Sequence, residues 1–174
     1  MRKIVTLVLL IIYASSTFAQ ISTMNQGKIK QKHYFQEIPY QEIKGFLMVP
    51  VTINGKEYNF IFDTGSSLLA ISDKLYKELN LRVFHQINAA DALKKKEKVR
   101  LILLPEIELQ GITFRNTTGI VFPENSEFSK WCECLEIDGI IGSNMLRNSI
   151  VQFDEQHKQI IITNDIKRVF LENR

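Results

Sequence analysis

The segment Phe60-Ile61-Phe62-Asp63-Thr64-Gly65-Ser66-Ser67 runs from an apolar stretch into a carboxylate and then into a short polar turn. A charge at the end of a core strand is costly to bury unless hydrogen bonds or a partner hold it. The preceding residues, Glu57 to Phe62, predict a strand, so we expect Asp63 at a strand end. This position makes Asp63 the first candidate for a chemical role.

The strand that ends at Asp63 is predicted to be the second arm of a hairpin. Phe46 to Ile53 reads as the first arm. Between the arms, Asn54-Gly55 favours a two-residue turn because both residues accept positive φ. After the polar turn, Ser67 to Ile71 predicts another short apolar strand. Asp63 therefore lies between two strands that should belong to the same core.

The rest of the chain alternates short apolar stretches with turn residues, which is typical of a mostly-β barrel or sandwich. Two short helices are predicted, one over about residues 72–79 and one over about 143–147. Residues 123–136, with the lone Trp131, read as a polar insertion. The further predicted strands are Arg82–Ala92, Val99–Leu104, Ile107–Leu109, Ile112–Phe114, Gly119–Phe122, Ile150–Phe153 and Gln159–Thr163.

The first 19 residues have the pattern of a cleaved secretory signal. Arg2 and Lys3 precede the apolar run Ile4–Tyr13, and Thr17-Phe18-Ala19 offers small residues before Gln20. The run is shorter than the roughly 20 residues of a membrane span, and an uncleaved N-terminal anchor is the alternative. We expect an exported protein, periplasmic or secreted, with no stable membrane span after signal cleavage.

Removal of the signal leaves 155 of the 174 residues, which is enough for one domain with a core. Residues 20–37 are polar and lack clear periodicity, so they predict a flexible lead-in that can end in an edge strand. Residues 38–165 are then the domain, and 166–174 a C-terminal tail that can form a further strand or helix. The net charge of +3 falls to +1 without Arg2 and Lys3. Nothing in this charge indicates a nucleic-acid partner.

The two cysteines of the chain, Cys132 and Cys134, stand in the sequence Trp-Cys-Glu-Cys. An exported protein can oxidise them. In an extended segment, however, residues i and i+2 lie about 7 Å apart, at the limit for a disulfide. A strained local bridge, an intermolecular bridge and two free thiols all stay open. A metal site needs more ligands than two thiolates, so no metal is predicted.

A second apolar-to-glycine break, Asp138-Gly139-Ile140-Ile141-Gly142, lies later in the chain. Together with Asp63-Thr64-Gly65-Ser66 it resembles one lobe of an aspartic protease, and the length resembles the single-lobe, retropepsin-like branch. In that family Asp-Thr-Gly-Ser forms the active-site turn, and an apolar-apolar-Gly motif packs beside it. The resemblance covers about residues 43 to 163. It implies a closed acid-protease barrel with one or two short helices and no cofactor.

The resemblance implies that Asp63 is catalytic and that Thr64, Gly65 and Ser66 form its turn. Two carboxylates that share one proton can activate a water and protonate the leaving amide nitrogen. Gly65 is expected to donate its N–H to Asp63, and Ser66 its hydroxyl to the outer carboxylate oxygen. Thr64 is expected to bond across to an opposite turn.

The second carboxylate must come from elsewhere, since the sequence contains no other Asp-Thr-Gly and no Asp-Ser-Gly. Asp138 precedes a glycine, but within the packing motif a turn or cap role is expected for it. The economical solution is a two-fold dimer in which Asp63 meets Asp63 of a partner chain, as in family members of this length. The tail residues Lys167–Leu171 and the lead-in are candidates for an interchain sheet.

A flap that closes over the substrate is expected, by position in the family, within residues 88–99. Flaps of the family usually carry glycines near the tip. Ala89, Ala90, Asp91 and Ala92 provide none. The resemblance therefore implies a flap that is stiffer or differently shaped here.

The sequence thus predicts an exported, homodimeric aspartic endopeptidase that acts on peptides or proteins. Two alternatives stay open. One is a retropepsin-like domain that binds peptides or dimerises without cleaving them. The other is the first lobe of a longer two-lobe protease.

Overall fold

The computed structural model describes residues 27–90, 96–124 and 126–169. Two α-helices in this part of the chain are α1 (Asp73–Leu79) and α2 (Glu127–Leu135), and Ile166–Arg168 form a 3-10 helix. The predicted mostly-β class is confirmed. The strands are β1 (Lys28–Ile29), β2 (Phe35–Pro39), β3 (Gln41–Ile43), β4 (Phe46–Ile53), β5 (Lys56–Phe62), β6 (Leu69–Ile71), β7 (Val83–Ala90), β8 (Lys96–Leu109), β9 (Ile112–Val121), β10 (Gly139–Ile141), β11 (Ile150–Asp154) and β12 (Gln159–Thr163).

Within the described residues, nine strands form one sheet and three form another. The larger sheet has the order β1-β9-β6-β10-β5-β4-β8-β7, with β3 paired to β4. It curls back on itself because β8 pairs with β9 over most of its length and also meets β4, where Thr52 lies opposite Glu108. The smaller sheet has the order β11-β12-β2.

The β4–β5 hairpin and α1 form where the sequence predicts them. Asn54 and Gly55 adopt φ values of 52° and 77° in the hairpin turn. Ser72 caps α1 by accepting a hydrogen bond from the Leu75 N–H (3.1 Å), and Asn80 ends the helix in the left-handed conformation. These signals are local, so they can be read without knowledge of the tertiary partners.

Strands β5 and β10 lie side by side in the middle of the larger sheet, where apolar residues on both of their faces are buried. On one face, Phe60 and Ile141 belong to the main core. On the other, Ile61 and Ile140 pack in a second cluster that includes Cys132 of α2. Burial on both faces explains why the paired segments, residues 60–62 and 139–141, are continuous apolar stretches instead of alternating ones.

Helix α2 corrects the prediction that residues 123–136 are a polar insertion. Ser126 accepts a hydrogen bond from the Ser129 N–H (3.1 Å) at the start of the helix, and Glu136 ends it with a φ of 52°. Cys132 is buried among the second cluster, whereas Cys134 is exposed, and both are free thiols. Apolar residues recur at helical spacing from Phe128 to Leu135, and through Cys132 and Leu135 the helix packs against the apolar outer face of the sheet.

The predicted helix over residues 143–147 is wrong. The chain forms two overlapping turns instead, in which Met145 N–H bonds to the Gly142 carbonyl and Leu146 N–H to the Ser143 carbonyl (3.1 Å each). Met145 and Leu146 are both buried in the main core. Because their side chains must reach that core from adjacent positions, the segment turns instead of continuing as an α-helix.

Two boundaries also differ from the prediction. Strand β8 is continuous through Pro105, because the pairs with β9 continue on both sides of it. Residues 28–29 of the lead-in lie in β1, because β9 offers them an edge for backbone pairing. The lead-in ends in the edge strand β2, and Ile166–Arg168 of the tail form a 3-10 helix, as the sequence allows. None of the helices in the described part of the chain has the length and apolar character needed to cross a bilayer.

Candidate active site

Asp63 is held at the carboxyl end of β5 by the neighbouring strand β10. The two strands are parallel, with Phe62 opposite Ile141. The Asp63 N–H donates to the Ile141 carbonyl (3.1 Å), and the Asp63 carbonyl accepts from the Ser66 N–H (3.2 Å). The first bond extends the pairing of the strands by one residue, and the second closes the turn. The position of Asp63 is therefore set by backbone atoms on both sides.

The Asp63 carboxylate is exposed at this strand end. The Gly65 N–H donates to its Oδ1 atom (2.9 Å), as the sequence analysis expects. A Cβ atom at position 65 would lie 3.1 Å from the same oxygen, so glycine lets the backbone approach the carboxylate this closely. One side of the carboxylate thus has a fixed donor, while the residue as a whole stays open to solvent.

The other two turn residues behave differently from Gly65. Ser66 was expected to donate to Asp63, but its hydroxyl donates to the Leu68 carbonyl (2.9 Å). The reason is local, since the turn brings that carbonyl within reach two residues later. Thr64 is exposed. Its expected bond to an opposite turn involves a partner chain and stays a prediction.

The segment Asp138-Gly139-Ile140-Ile141-Gly142 lies beside the Asp63 turn through β10, which sits between β5 and β6. A Cβ atom at Gly142 would overlap the Leu68 backbone, and one at Gly139 would overlap the Phe60 ring. Just beyond, the Ser143 N–H donates to the Ser66 carbonyl (2.8 Å) and ties this segment to the turn. The two motifs that are distant in sequence are therefore brought together.

Asp138 lies at the start of β10, whereas Asp63 follows the end of the parallel strand β5. Its Oδ2 atom accepts from the Asn59 N–H (3.0 Å), and its own N–H donates to the Asn59 carbonyl (2.8 Å). Its carbonyl accepts from the Ser72 N–H (2.8 Å). Asp138 therefore joins the start of β10 to the middle of β5 and to the end of β6, at the opposite end of the β5–β10 pair from Asp63.

A family model described as aspartyl protease matches residues 49–145, which is more than half of the chain. The chain belongs to the aspartyl protease family. Its fold is similar to the crystal structure of a retropepsin-like aspartic protease from Rickettsia conorii, with a TM-score of 0.52 at 17% identity, over 78% of this chain and 94% of that one. The retropepsin-like fold expected from the sequence is confirmed.

A second solved structure is the retroviral protease-like domain of Ddi1 from Leishmania major. The TM-score is 0.46 at 20% identity, and the match covers 68% of this chain and 90% of that one. Comparison with curated protein sequences gives no match.

Asn144 was expected from the sequence only as a possible cap of the short helix over residues 143–147. Its buried side chain accepts from the Leu69 N–H and donates to the Thr118 carbonyl (2.7 Å each). It thereby joins the strand that leaves the Asp63 turn to β9. The signal was its place directly after Gly142-Ser143, but its two partners are distant in sequence and only the fold reveals them.

The predicted flap falls on the β7–β8 hairpin. Ala89 and Ala90 are the last two residues of β7, and they pair with Glu97 and Lys96 of β8. Asp91 and Ala92, which were expected at the tip, lie outside the described residues. The arms of this hairpin therefore lie where the flap was predicted. The role of the hairpin as a flap stays a prediction.

Cys132 of α2 lies in an environment that disfavours a reactive thiol. Burial is the main cause that raises the pKa of the Cys132 thiol to about 12, with Asp138 and Glu133 adding to it, so the reactive thiolate is disfavoured. Within the described residues, no group of three or more His, Cys, Asp or Glu side chains is arranged to hold a metal.

Proposed function

We propose that this protein is an exported aspartic endopeptidase that works as a homodimer, with one Asp63 from each chain forming the catalytic pair. The observation that carries the proposal is the exposed Asp63 carboxylate at the strand end, held by Gly65 and flanked by the Ile140-Ile141-Gly142 segment. This arrangement supplies one carboxylate per chain, and the family to which the chain belongs makes peptide hydrolysis its expected reaction.

The chemistry follows from two carboxylates brought within hydrogen-bond distance. They cannot both ionise cheaply, so the pair holds one proton and titrates as a unit. The ionised carboxylate takes a proton from a water, which attacks the peptide carbonyl, while the protonated one hydrogen-bonds to that carbonyl oxygen. Proton transfer to the amide nitrogen then lets the amine leave. Activity is therefore expected to be highest at acidic pH.

A dimer is supported by the surface next to Asp63. The ring of Phe62, the residue before Asp63, meets the ring of Phe153 edge-on at 6.0 Å. Phe153 lies on β11, an outer strand of the smaller sheet, and is 45% exposed. An exposed aromatic side chain beside a half-site is a suitable anchor for a second copy of the chain. Export rests on the predicted signal at residues 1–19.

The test is peptide-library cleavage by the purified mature chain, combined with sedimentation to measure its mass. We expect a dimer that cleaves peptides at acidic pH and is blocked by a statine-type inhibitor. Asp63→Asn should reduce kcat by a factor of about 10³ or more without dissociating the dimer, because the shared proton is lost.

Asp138→Asn is the matched control, since asparagine keeps an oxygen that can accept from the Asn59 N–H. We expect this variant to cleave. If both substitutions abolish cleavage equally, the result does not single out Asp63 from Asp138 as the catalytic carboxylate. A dimer that binds the inhibitor but cleaves no peptide would indicate a non-catalytic binding module instead of a protease. An inactive monomer would indicate one lobe of a longer protease.

A further inference from the structure

Strand β8 changes its neighbours at Arg100. From Leu109 back to Arg100 it pairs with β9, where Arg100 lies opposite Val121, the last residue of β9. From Val99 to Lys96, its partner within the described residues is β7, with Val99 opposite Ile87 and Lys96 opposite Ala90. We call this two-stranded segment, residues 87–90 and 96–99, the ribbon. Arg100 is thus the first residue of β8 that the body of the sheet holds from both sides.

The Arg100 side chain leaves the sheet and binds α1. Its Nη2 atom bonds to Asp73 Oδ1, and its guanidinium lies over the Tyr76 ring at 4.4 Å from the centroid. Only 27% of the Arg100 side chain and 8% of the Asp73 side chain are exposed. A planar guanidinium that both pairs with a carboxylate and stacks on a ring has one preferred orientation, which a lysine would not have.

The partner carboxylate is itself fixed to a rigid element. Asp73 is the first residue of α1 and also accepts from Lys77 (2.7 Å), which reaches Glu124 after β9 (3.2 Å). Burial alone would raise the pKa of Asp73, but hydrogen bonds from Lys77 and Arg100 outweigh it and hold the pKa below its ordinary value. Leu75, 1% exposed, anchors α1 in the main core.

We propose that Arg100 is a positioning residue: through Asp73 and Tyr76 it fixes the base of the ribbon to α1, and so sets how the ribbon meets a bound peptide. The first half of this statement concerns the fold alone, and the second rests on the proposed function. Within the described residues, the two strands of the ribbon pair only with each other, whereas its base has a mostly buried ion pair and a stacking contact. Loss of the Arg100 side chain should therefore loosen the ribbon.

The first measurement is hydrogen exchange of the ribbon amides in the full mature chain. Arg100→Met should speed their exchange about tenfold, because the charge-assisted contact that opposes local opening is lost. Arg100→Lys should lie between wild type and Arg100→Met, since it keeps the charge but loses the planar fork. The amides of β5 and β10 should be unchanged in both variants.

Arg115→Met is the matched control. Arg115 lies on β9 and pairs with Glu106 of β8 (3.1 Å), but both side chains are about half exposed, at 48% and 54%. Arg115→Met removes an exposed arginine–carboxylate pair that joins β8 to β9, and the ribbon exchange should stay at the wild-type rate. Tyr76→Leu removes only the stacking contact and provides a further test if Arg100→Met does not fold.

The second measurement is peptide hydrolysis. With an unanchored ribbon, each binding event must order it, so KM should rise about tenfold in Arg100→Met while kcat changes less than about twofold. Three outcomes would each contradict the proposal that Arg100 anchors the ribbon. They are unchanged ribbon exchange in Arg100→Met, an equal effect of Arg115→Met, and faster exchange throughout β5 and β10. If ribbon exchange is faster in Arg100→Met but the wild type cleaves no peptide, the proposed function is contradicted, whereas the anchoring of the ribbon by Arg100 is supported. If cleavage is intact and KM does not move, the role in substrate positioning is overturned.

Discussion

At the scale of single residues, the candidate site is built mainly by backbone atoms around one carboxylate. The N–H groups of Asp63, Gly65 and Ser143 make the hydrogen bonds that fix the turn and join it to β10. Side chains bond to backbone groups at the edge of this arrangement. Asn144, for example, bonds to the Leu69 N–H and to the Thr118 carbonyl. Such an arrangement tolerates little change in backbone position, which explains why Gly142 has no room for a side chain.

Asp73 allows a prediction about pH at this scale. Because its folded-state pKa is depressed, the ionised form contributes stability above about pH 4, the ordinary value in an unfolded chain. That contribution is lost as the pH falls through the lower folded-state pKa. Asp73→Asn should therefore lower the free energy of unfolding by about 2 kcal/mol at pH 7, with a smaller difference under acid.

Urea unfolding measures the free energy of unfolding of the wild type and of Asp73→Asn. The measurement is made at pH 7 and at the lowest pH at which both proteins still fold. Asp165→Asn, an exposed residue outside the network, is the control for adding an amide. A difference between wild type and Asp73→Asn that is the same at both pH values would contradict the assignment of the stability to the ionised carboxylate.

At the scale of elements, the two helices show what local sequence can and cannot predict. Helix α1 was predicted because its cap, Ser72, and its end at Asn80 are strong local signals. Helix α2 has an equivalent cap in Ser126, and five of its nine residues are apolar, but the charged residues of the segment 123–136 led to its interpretation as a polar insertion. Its buried face is defined by the outer surface of the sheet, where Met48, Ile61 and Ile140 lie.

The cap of α2 can be tested by stability. Ser126→Ala removes the acceptor for the Ser129 N–H and should lower the free energy of unfolding by about 1 kcal/mol. Ser143→Ala, at an exposed serine in a turn, should change it by less than about 0.5 kcal/mol. Chemical denaturation followed by the fluorescence of Trp131, which lies on α2, reports on the helix directly. Equal effects of the two substitutions would show that the cap does not hold α2.

At the scale of the whole molecule, the structure has half of the machinery that the proposed reaction needs. Each chain offers one Asp63, and Phe153 of the outer strand β11 contacts Phe62, the residue before it. The tail was a candidate for an interchain sheet, but Ile166–Arg168 form a 3-10 helix in the single chain, with Arg168 over the Phe35 ring (4.0 Å). β11 is therefore the more suitable surface for a partner.

The dimer predicts that Phe153→Ser weakens self-association. Loss of an aromatic anchor from the interface should cost about 2 kcal/mol, which raises the dimer Kd about thirtyfold. Phe84→Ser is the matched control, because Phe84 is 44% exposed, nearly the same as Phe153, but lies on β7 in the other sheet. Sedimentation over a range of concentrations gives both constants. If the two substitutions change Kd equally, β11 is not the interface.

The sequence by itself determined the elements whose signals are local and the identity of the family. The Asn54-Gly55 turn, the Ser72 cap, the strand into Asp63 and the paired glycine motifs all depend on neighbours within a few residues. Such signals act through backbone conformation, which adjacent residues set.

Only the tertiary structure decided which distant groups meet. It placed Asp138 away from Asp63, turned residues 143–147 out of a helix, gave Asn144 its two partners and joined Arg100 to Asp73. These outcomes depend on burial and on hydrogen bonds between segments far apart in the chain. These contacts stabilise the protein only after the sheet has formed, because in the unfolded chain the two groups of each contact are far apart.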